Sequence, residues 1–377
     1  MRTEHERGAA GRLAPGLPRI SDGQLLFLVH MLAHRKEPKD GGSRVAIIMN
    51  GSPLFTGDAG SGESEIRRWI LEHDWLEALI ALPEQLFYNT GIATYVWVLT
   101  NRKAPARKGK VQLIDATSLW VPMRRSLGDK RREIPPEKAG EILRLLGEFR
   151  AGEHVRIFPT THFGFRKITV ERPLRLNFQT NPERLARLDA EKAFQALAQS
   201  KKKGAAGAKE QAEGRTQQAA IRALLQTLPD TLYRDRDEFT GVLRAAAEKA
   251  DLKLAAPIVK AILSALSERD ETAAVCRDKD GHPEPDPELR DAESVPLSES
   301  VQAFFEREVK PHVPDAWIDT TRRDERDGEV GIVGYEINFN RYFYRYTPPR
   351  PLEEIETDIR AIEMDIMRML AEVTGRG

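Results

Sequence analysis

Apolar residues fall at Leu25, Leu26, Leu28, Val29 and Leu32, a helical spacing, and the pair Gly41-Gly42 closes that helix. The continuous apolar run at 45–49 then predicts a buried parallel strand. A glycine-rich loop follows. The next helix, at 64–72, carries Glu63 and Glu65 in its first turn, where the helix dipole favours carboxylates. Three further strands are predicted at 76–82, 94–100 and 111–114, the second of them dense in β-branched and aromatic residues. Helix, strand, helix and three strands form the order expected for the later half of a doubly wound α/β sheet.

Beyond Pro136 the pattern changes. Short strands are predicted at 155–158 and 165–170 and a helix at 182–199, followed by the low-complexity stretch KKKGAAGAK at 201–209, which reads as a flexible hinge or insertion. Helical patterns recur at 217–228, 237–250 and 256–268. The Pro- and Asp-rich tract at 278–287 predicts a turn and an extended connector; it is no EF-hand loop, because Gly281 occupies the fourth position of that template where glycine is needed at the sixth. At the end of the chain Leu352, Ile355, Ile359, Ile362, Ile366, Met369 and Val373 follow one another in alternating steps of three and four, a heptad seam flanked by Glu353, Glu354, Arg360, Glu363, Asp365 and Arg368. So narrow a stripe asks for a helix as partner, either one of this chain or one of another subunit. The pattern divides the chain into 1–135, a connector at 136–200, a linker at 201–216, a helical region with an acidic connector at 217–300, and a terminal region at 301–377.

Composition narrows the class. With 377 residues, 40% hydrophobic and 31% charged, the chain has the make-up of a globular protein of two or three domains. A single cysteine, Cys276, excludes an internal disulfide and a cysteine-based zinc site. The polar start, MRTEHER, lacks the apolar run of a signal peptide, and no apolar stretch approaches the roughly 18 residues of a membrane span, so the expected location is cytoplasmic with no membrane partner. The formal net charge is +0, but the charges are segregated. Residues 101–132 hold ten bases (Arg102, Lys103, Arg107, Lys108, Lys110, Arg124, Arg125, Lys130, Arg131, Arg132) against Asp115 and Asp129, whereas residues 268–299 hold eleven acids against four bases. The basic run is either a solvated surface or a face that meets phosphate; the acidic run avoids it.

Four blocks in one order carry a resemblance: GLPRISDGQLLF at 16–27, RVAIIMNGSPLF at 44–55, GDAGSGES at 57–64 and LPEQLFYNTGIATY at 82–95, resumed by GYEINF at 334–339 and RPLEEI at 350–355. They closely resemble the modification (M) subunit of type I restriction–modification systems, an adenine-N6 DNA methyltransferase. The resemblance implies the later half of an S-adenosylmethionine-dependent methyltransferase sheet and a mixed, mostly helical C-terminal region. It also implies transfer of a methyl group from S-adenosylmethionine to adenine in DNA. The family's glycine loop for that cofactor and its Asn-Pro-Pro-Phe tetrapeptide are not found in the 377 residues: Asn181-Pro182 precedes Glu183, and the two Pro-Pro pairs follow Ile134 and Thr347. In the family the tetrapeptide lies shortly upstream of residues matching Glu4-His5-Glu6-Arg7-Gly8, so the chain reads as a C-terminal portion. No catalytic residue is therefore assigned, and the chain alone is expected to be inactive and to bind no cofactor.

By the same resemblance Phe87, Tyr88 and Asn89 belong to the block that handles the target base. An enzyme that methylates an exocyclic amine must draw the base out of the duplex and give it an aromatic face. Adjacent side chains point apart, so one of Phe87 and Tyr88 is expected to pack into the core. Asp22 and Gln24 are implied to line the cleft. Arg102, Lys103, Arg107, Lys108, Lys110, Arg124 and Arg125 are the candidates for the DNA backbone, and Leu352, Ile355, Ile359, Ile362, Ile366 and Met369 for docking on a specificity subunit and, through it, on other restriction–modification subunits. The alternative reading is a non-catalytic module that docks on a specificity subunit or DNA.

Two other constellations invite a ligand and are set aside on physical grounds. The glycines at 57–62 lie between a strand and a helix and are followed by Glu84, which imitates a dinucleotide or S-adenosylmethionine fingerprint. A phosphate-cradling turn, however, passes directly from strand to helix, and Asp58, Glu63 and Glu65 would set carboxylates beside the anion. His30 and His34 share a helix face but have no third ligand in view, so no metal is expected.

Overall fold

Strands alternate with helices through the first half of the chain. The computed structural model describes residues 2–346 and 348–375. It divides into two units, Met1–Phe163 with Tyr335–Gly377 and Gly164–Gly334.

In the first unit β1 (Arg44–Asn50), β2 (Leu76–Leu82), β3 (Thr94–Thr100), β4 (Lys110–Asp115) and β7 (Val155–Pro159) make one sheet in the order β1-β3-β2-β4-β7, while β5 (Val121–Leu127) and β6 (Lys130–Glu133) form a separate hairpin. β3 is antiparallel to both β1 and β2, and β2 is parallel to β4. Consequently β1, β2 and β4 run the same way and end at the same edge. The register fixes the row: Thr94 faces Asn50 on one side and Leu82 on the other, and Ala81 faces Asp115.

All of β2 is buried, because the sheet is covered on both faces there. On one face Ala78, Ile80 and Leu82 pack with Ile142 of the helix Pro136–Glu148. On the other, the helix Gln24–Ala33 packs on β1 and on the helix Gly62–Glu72, burying Leu28, Val29, Ile66 and Ile70. The mixed α/β sheet agrees with the expected class. β1, the terminal strand, is not the buried parallel strand that its apolar run predicts: it pairs antiparallel with β3, and Arg44, Ala46 and Ile48 are exposed. A run of five apolar residues looks the same whether one face or both are covered, so the run alone does not fix how much of the strand is buried.

The predicted break at Pro136 is also corrected. The helix Pro136–Glu148 and β7 complete the first unit, which runs to Phe163. The chain re-enters that unit at Tyr335, where the guanidinium of the fully buried Arg67 donates to the Tyr335 carbonyl at 2.5 Å, the Tyr335 amide donates to Ser64 Oγ at 3.0 Å, and the Ile337 amide donates to the Leu54 carbonyl at 2.8 Å. Burial lowers the Arg67 pKa to about 10 despite the opposing charges of Glu63 and Glu336. GYEINF is thus a tether for the first unit.

The second unit combines the antiparallel strands Gly164–Glu171, Asp291–Pro296 and Trp317–Ile318 with a helical core. Phe178, Phe194, Leu224, Phe239, Leu243 and Ile262 are buried together there, contributed in part by the helices Gly204–Gln226, Arg236–Lys249 and Ala256–Leu266. The stretch expected to be a flexible linker at 201–216 is therefore mostly helix. Alanine is the best helix former, and Gly214 is where the backbone passes closest: a Cβ there would stand 1.8 Å from the Leu197 carbonyl oxygen. The helix expected at 182–199 is instead broken into Pro182–Arg187, a 3-10 turn Leu188–Ala190 and Lys192–Leu197.

Candidate nucleic-acid interface

Asp22 and Gln24 meet the row Asn50, Thr94, Leu82 and Asp115 at Asn50. Asp22 precedes the helix Gln24–Ala33; its carboxylate accepts from Ser52 Oγ at 2.7 Å, from Gln24 Nε2 at 3.0 Å and from the Gln24 amide at 3.2 Å. Gln24 Oε1 in turn accepts from the Asn50 amide at 3.0 Å, and Asn50 Oδ1 from the Ser52 amide at 3.0 Å. Arg19 donates to Ser52 Oγ at 3.2 Å and stands 3.9 Å from Asp22. Desolvation opposes ionisation of Asp22, but the bonds from Ser52 and Gln24 and the Arg19 charge outweigh it and hold the carboxyl below its ordinary range. Asp22 and Gln24 thus tie the strand end to the helix start. At the middle of the row, Thr94 Oγ1 is buried with no hydrogen-bond partner among the described residues.

Beside this network the buried Tyr95 packs edge-on against Phe339 with centroids 5.3 Å apart and donates to Asn340 Oδ1 at 3.3 Å. Burial raises its pKa, and the charges of Asp115 and Glu84 raise it further.

The segment following β2 turns back on itself. The Gln85 amide donates to the Gly91 carbonyl at 3.3 Å and Phe87 bridges Thr90, so Tyr88 and Asn89 form the tip. Phe87 packs against the core cluster of Ile80, Val98 and Ile142, whereas Tyr88 is 58% exposed and Asn89 is exposed. The Lys130 ammonium lies over the Tyr88 ring at 5.1 Å.

The basic run splits into two populations. Arg102, Lys108, Lys110, Arg124 and Arg125 are exposed. Lys103 and Arg107 are not, which corrects their assignment to a surface contact. Lys103 Nζ donates to Asp74 at 2.5 Å and to the Lys110 carbonyl at 2.7 Å; Arg107 donates to Gln112 at 2.9 Å and to the Leu146 carbonyl, and lies 3.6 Å from Glu77. Burial lowers the pKa of both, against the pull of Asp74 and Glu77 on Lys103 and of Glu77 on Arg107. Arg124 and Arg125 sit on the β5–β6 hairpin, which hydrophobic periodicity does not reveal because most of its residues are polar or charged.

The loop at 57–62 is filled by its own chain. Ser61 caps the helix Gly62–Glu72 by accepting from the Ser64 amide at 3.3 Å, Glu63 accepts from the Arg19 amide at 2.8 Å, and a Cβ on Gly62 would fall 1.8 Å from the Leu17 carbonyl oxygen. Arg67 donates to the Thr56 carbonyl at 2.8 Å and to the Pro53 carbonyl at 3.1 Å. These contacts commit Ser61, Glu63 and Arg67 to main-chain partners of the same unit. Among the described residues no group of three or more His, Cys, Asp or Glu is placed to hold a metal.

The helix Leu352–Thr374 carries the heptad residues. Leu352 is 79% exposed, Ile359 52%, Ile362 59%, Ile366 46% and Met369 53%, while Ile355 is half-buried. Val373, the last member of the seam, has a side chain outside the described set. No helix among the described residues is long and apolar enough to cross a membrane.

Residues 3–160 match the N-6 DNA Methylase family. Over 118 residues the chain is 35% identical to the Type I restriction enzyme HindI methylase subunit of Haemophilus influenzae, covering 31% of this chain and 25% of that one. It is 40% identical over 74 residues to the MjaVII methylase subunit of Methanocaldococcus jannaschii, covering 20% of this chain and 12% of that one. The methyltransferase subunit of a type I restriction-modification system from Streptococcus thermophilus is 24% identical with a TM-score of 0.35, over 41% of this chain and 31% of that one. The chain thus spans about a quarter of the length of the HindI relative.

Proposed function

We propose, from the match of residues 3–160 to the N-6 DNA Methylase family, that the chain is a portion of an adenine-N6 DNA methyltransferase of the type I modification-subunit kind. In this reading the first unit supplies the target-base edge: Tyr88 stacks on an extruded adenine, Asn89 stands beside it, and Asp22 and Gln24 hold the neighbouring strand end. The exposed bases Arg102, Lys108, Lys110, Arg124 and Arg125 meet the DNA backbone. The observation that carries the reading is the turned segment after β2, which packs one aromatic ring inward and leaves the next at its tip, 58% exposed.

Transfer of a methyl group requires S-adenosylmethionine, which supplies the electrophilic methyl when bound by the complete family enzyme. The loop at 57–62 is occupied by Leu17, Ser61 and Glu63, so no residue of this chain is given a role toward that group. The 377 residues alone are inactive in this reading. Titration calorimetry with S-adenosylmethionine and a tritium-methyl transfer assay on DNA test it: no measurable binding and no transfer are expected, and micromolar binding or turnover overturns the assignment.

A second reading, a non-catalytic module docking on a specificity subunit, is favoured by one observation. The apolar seam of the helix Leu352–Thr374 is largely exposed. Both readings share that docking surface, and they separate on whether the chain, joined to a polypeptide with the family's cofactor loop, restores methyl transfer.

A further inference from the structure

The hairpin of β5 and β6 is attached to the aromatic tip by main-chain bonds. The Asp129 amide donates to the Tyr88 carbonyl at 3.0 Å, and the Arg131 and Arg132 amides both donate to the Gln85 carbonyl, at 2.9 and 3.2 Å. Gly128, at φ 60°, sits at the hairpin turn where a Cβ would stand 2.8 Å from the Tyr88 carbonyl oxygen. That approach admits only glycine without displacement of the tip. Gln85 itself has φ 58°, an uncommon conformation for a residue with a side chain, and its carbonyl is the one held twice by the hairpin.

The same hairpin is cationic. Arg124, Arg125 and Arg131 are exposed, Lys130 covers the Tyr88 ring at 5.1 Å and Arg132 covers Trp120 at 4.0 Å. A cation over an aromatic face restricts where the ring sits, and three exposed guanidiniums on two short strands suit the phosphodiester backbone.

We propose that the Val121–Glu133 hairpin is a DNA-backbone-binding arm whose turn holds the Tyr88 tip, so that phosphate binding and base stacking are made by one joined unit, with Lys130 as the positioning residue between them. This rests on the reading of Tyr88 as the stacking residue. It adds a separable claim, that the arm sets the position of the ring.

The test uses the full chain and a short labelled duplex carrying one unpaired 2-aminopurine, with anisotropy read across a salt series and 2-aminopurine quenching read at saturating protein. The double variant Arg124→Ala/Arg125→Ala is expected to lower the slope of log affinity against log salt by about 0.9 for each phosphate that is no longer neutralised, while quenching at saturation persists. Gly128→Val is expected to abolish quenching with the slope retained. Lys130→Met, a surface change that keeps the alkyl stem, does the same in part and keeps the test decisive should Gly128→Val fold poorly. An unchanged salt slope in the double variant overturns the arm, and full quenching in both Gly128→Val and Lys130→Met overturns the coupling. Loss of quenching in Tyr88→Ala alone, with neither arm variant altering the response, sinks this proposal but leaves the stacking reading standing. A wild-type chain that binds no duplex even at low salt overturns both.

Discussion

Phe87 and Tyr88 are neighbours with opposite duties. Phe87 packs with Ile80, Val98 and Ile142 and Tyr88 is 58% exposed, so truncation separates stability from recognition. Phe87→Ala should lower the melting temperature of the chain. Tyr88→Ala should leave it unchanged and, in the complete enzyme, weaken DNA binding by about 1–3 kcal/mol with cofactor affinity nearly intact, since the contact it removes is made to the base and not to the cofactor. A melting shift equal to that of Phe87→Ala would place Tyr88 in the core instead. Asp22 gives the pH dependence of the strand end. Its pKa is lowered in the folded chain, so its contribution to stability is present above the ordinary carboxylate value of 3.8 and is lost as pH falls through the lower folded value. Asp22→Asn should therefore flatten the acid limb of a stability profile measured by urea unfolding, and an identical acid limb in the variant would remove Asp22 from the account.

At the scale of elements, the helix Leu352–Thr374 makes the sharpest forecast. Because Ile359 and Ile366 are 52% and 46% exposed, replacing both by Asp costs the free chain little. Against a partner helix the same carboxylates would be desolvated without a counter-charge, at several kcal/mol each. Ile359→Asp/Ile366→Asp should therefore abolish co-purification with a specificity subunit and leave the thermal melt in place. Retained co-purification ends the docking proposal, and a collapsed melt returns the helix to this chain's own fold. The β5–β6 hairpin shows the other side of element-level reading: its strands have almost no apolar alternation, so the pairing of Val121 with Glu133 and of Leu127 with Lys130 is visible only in the structure.

For the whole molecule, β1 matters most. It ends the sheet with Ala46 and Ile48 exposed, Ile48 by 50%, beside the buried Val98 and half-buried Val96 of β3. An unpaired strand edge bearing apolar side chains favours association. The isolated chain should self-associate in light scattering at micromolar concentration, and Ile48→Lys should reduce that association without lowering the melting temperature. A sharp monomeric peak for the unaltered chain would show that the edge is not sticky.

Local sequence settled what depends on neighbours along the chain. The strands at 76–82 and 94–100 form over the residues expected, the first from a short apolar run and the second from a run dense in β-branched and aromatic residues. The terminal helix likewise follows from its three-and-four spacing alone. Sequence order also carried the family blocks, down to the turn that presents Tyr88. Tertiary structure decided everything that depends on what stands opposite. It paired 45–49 antiparallel with one face left exposed, turned Lys103 and Arg107 inward onto Asp74 and Glu77, and carried the helix Pro136–Glu148 back onto the first sheet. It drew the glycine- and alanine-rich segment 204–216 into a helix against the Leu197 carbonyl. Burial, pairing and charge compensation are relations between distant residues, and a pattern read along one chain contains only one member of each pair.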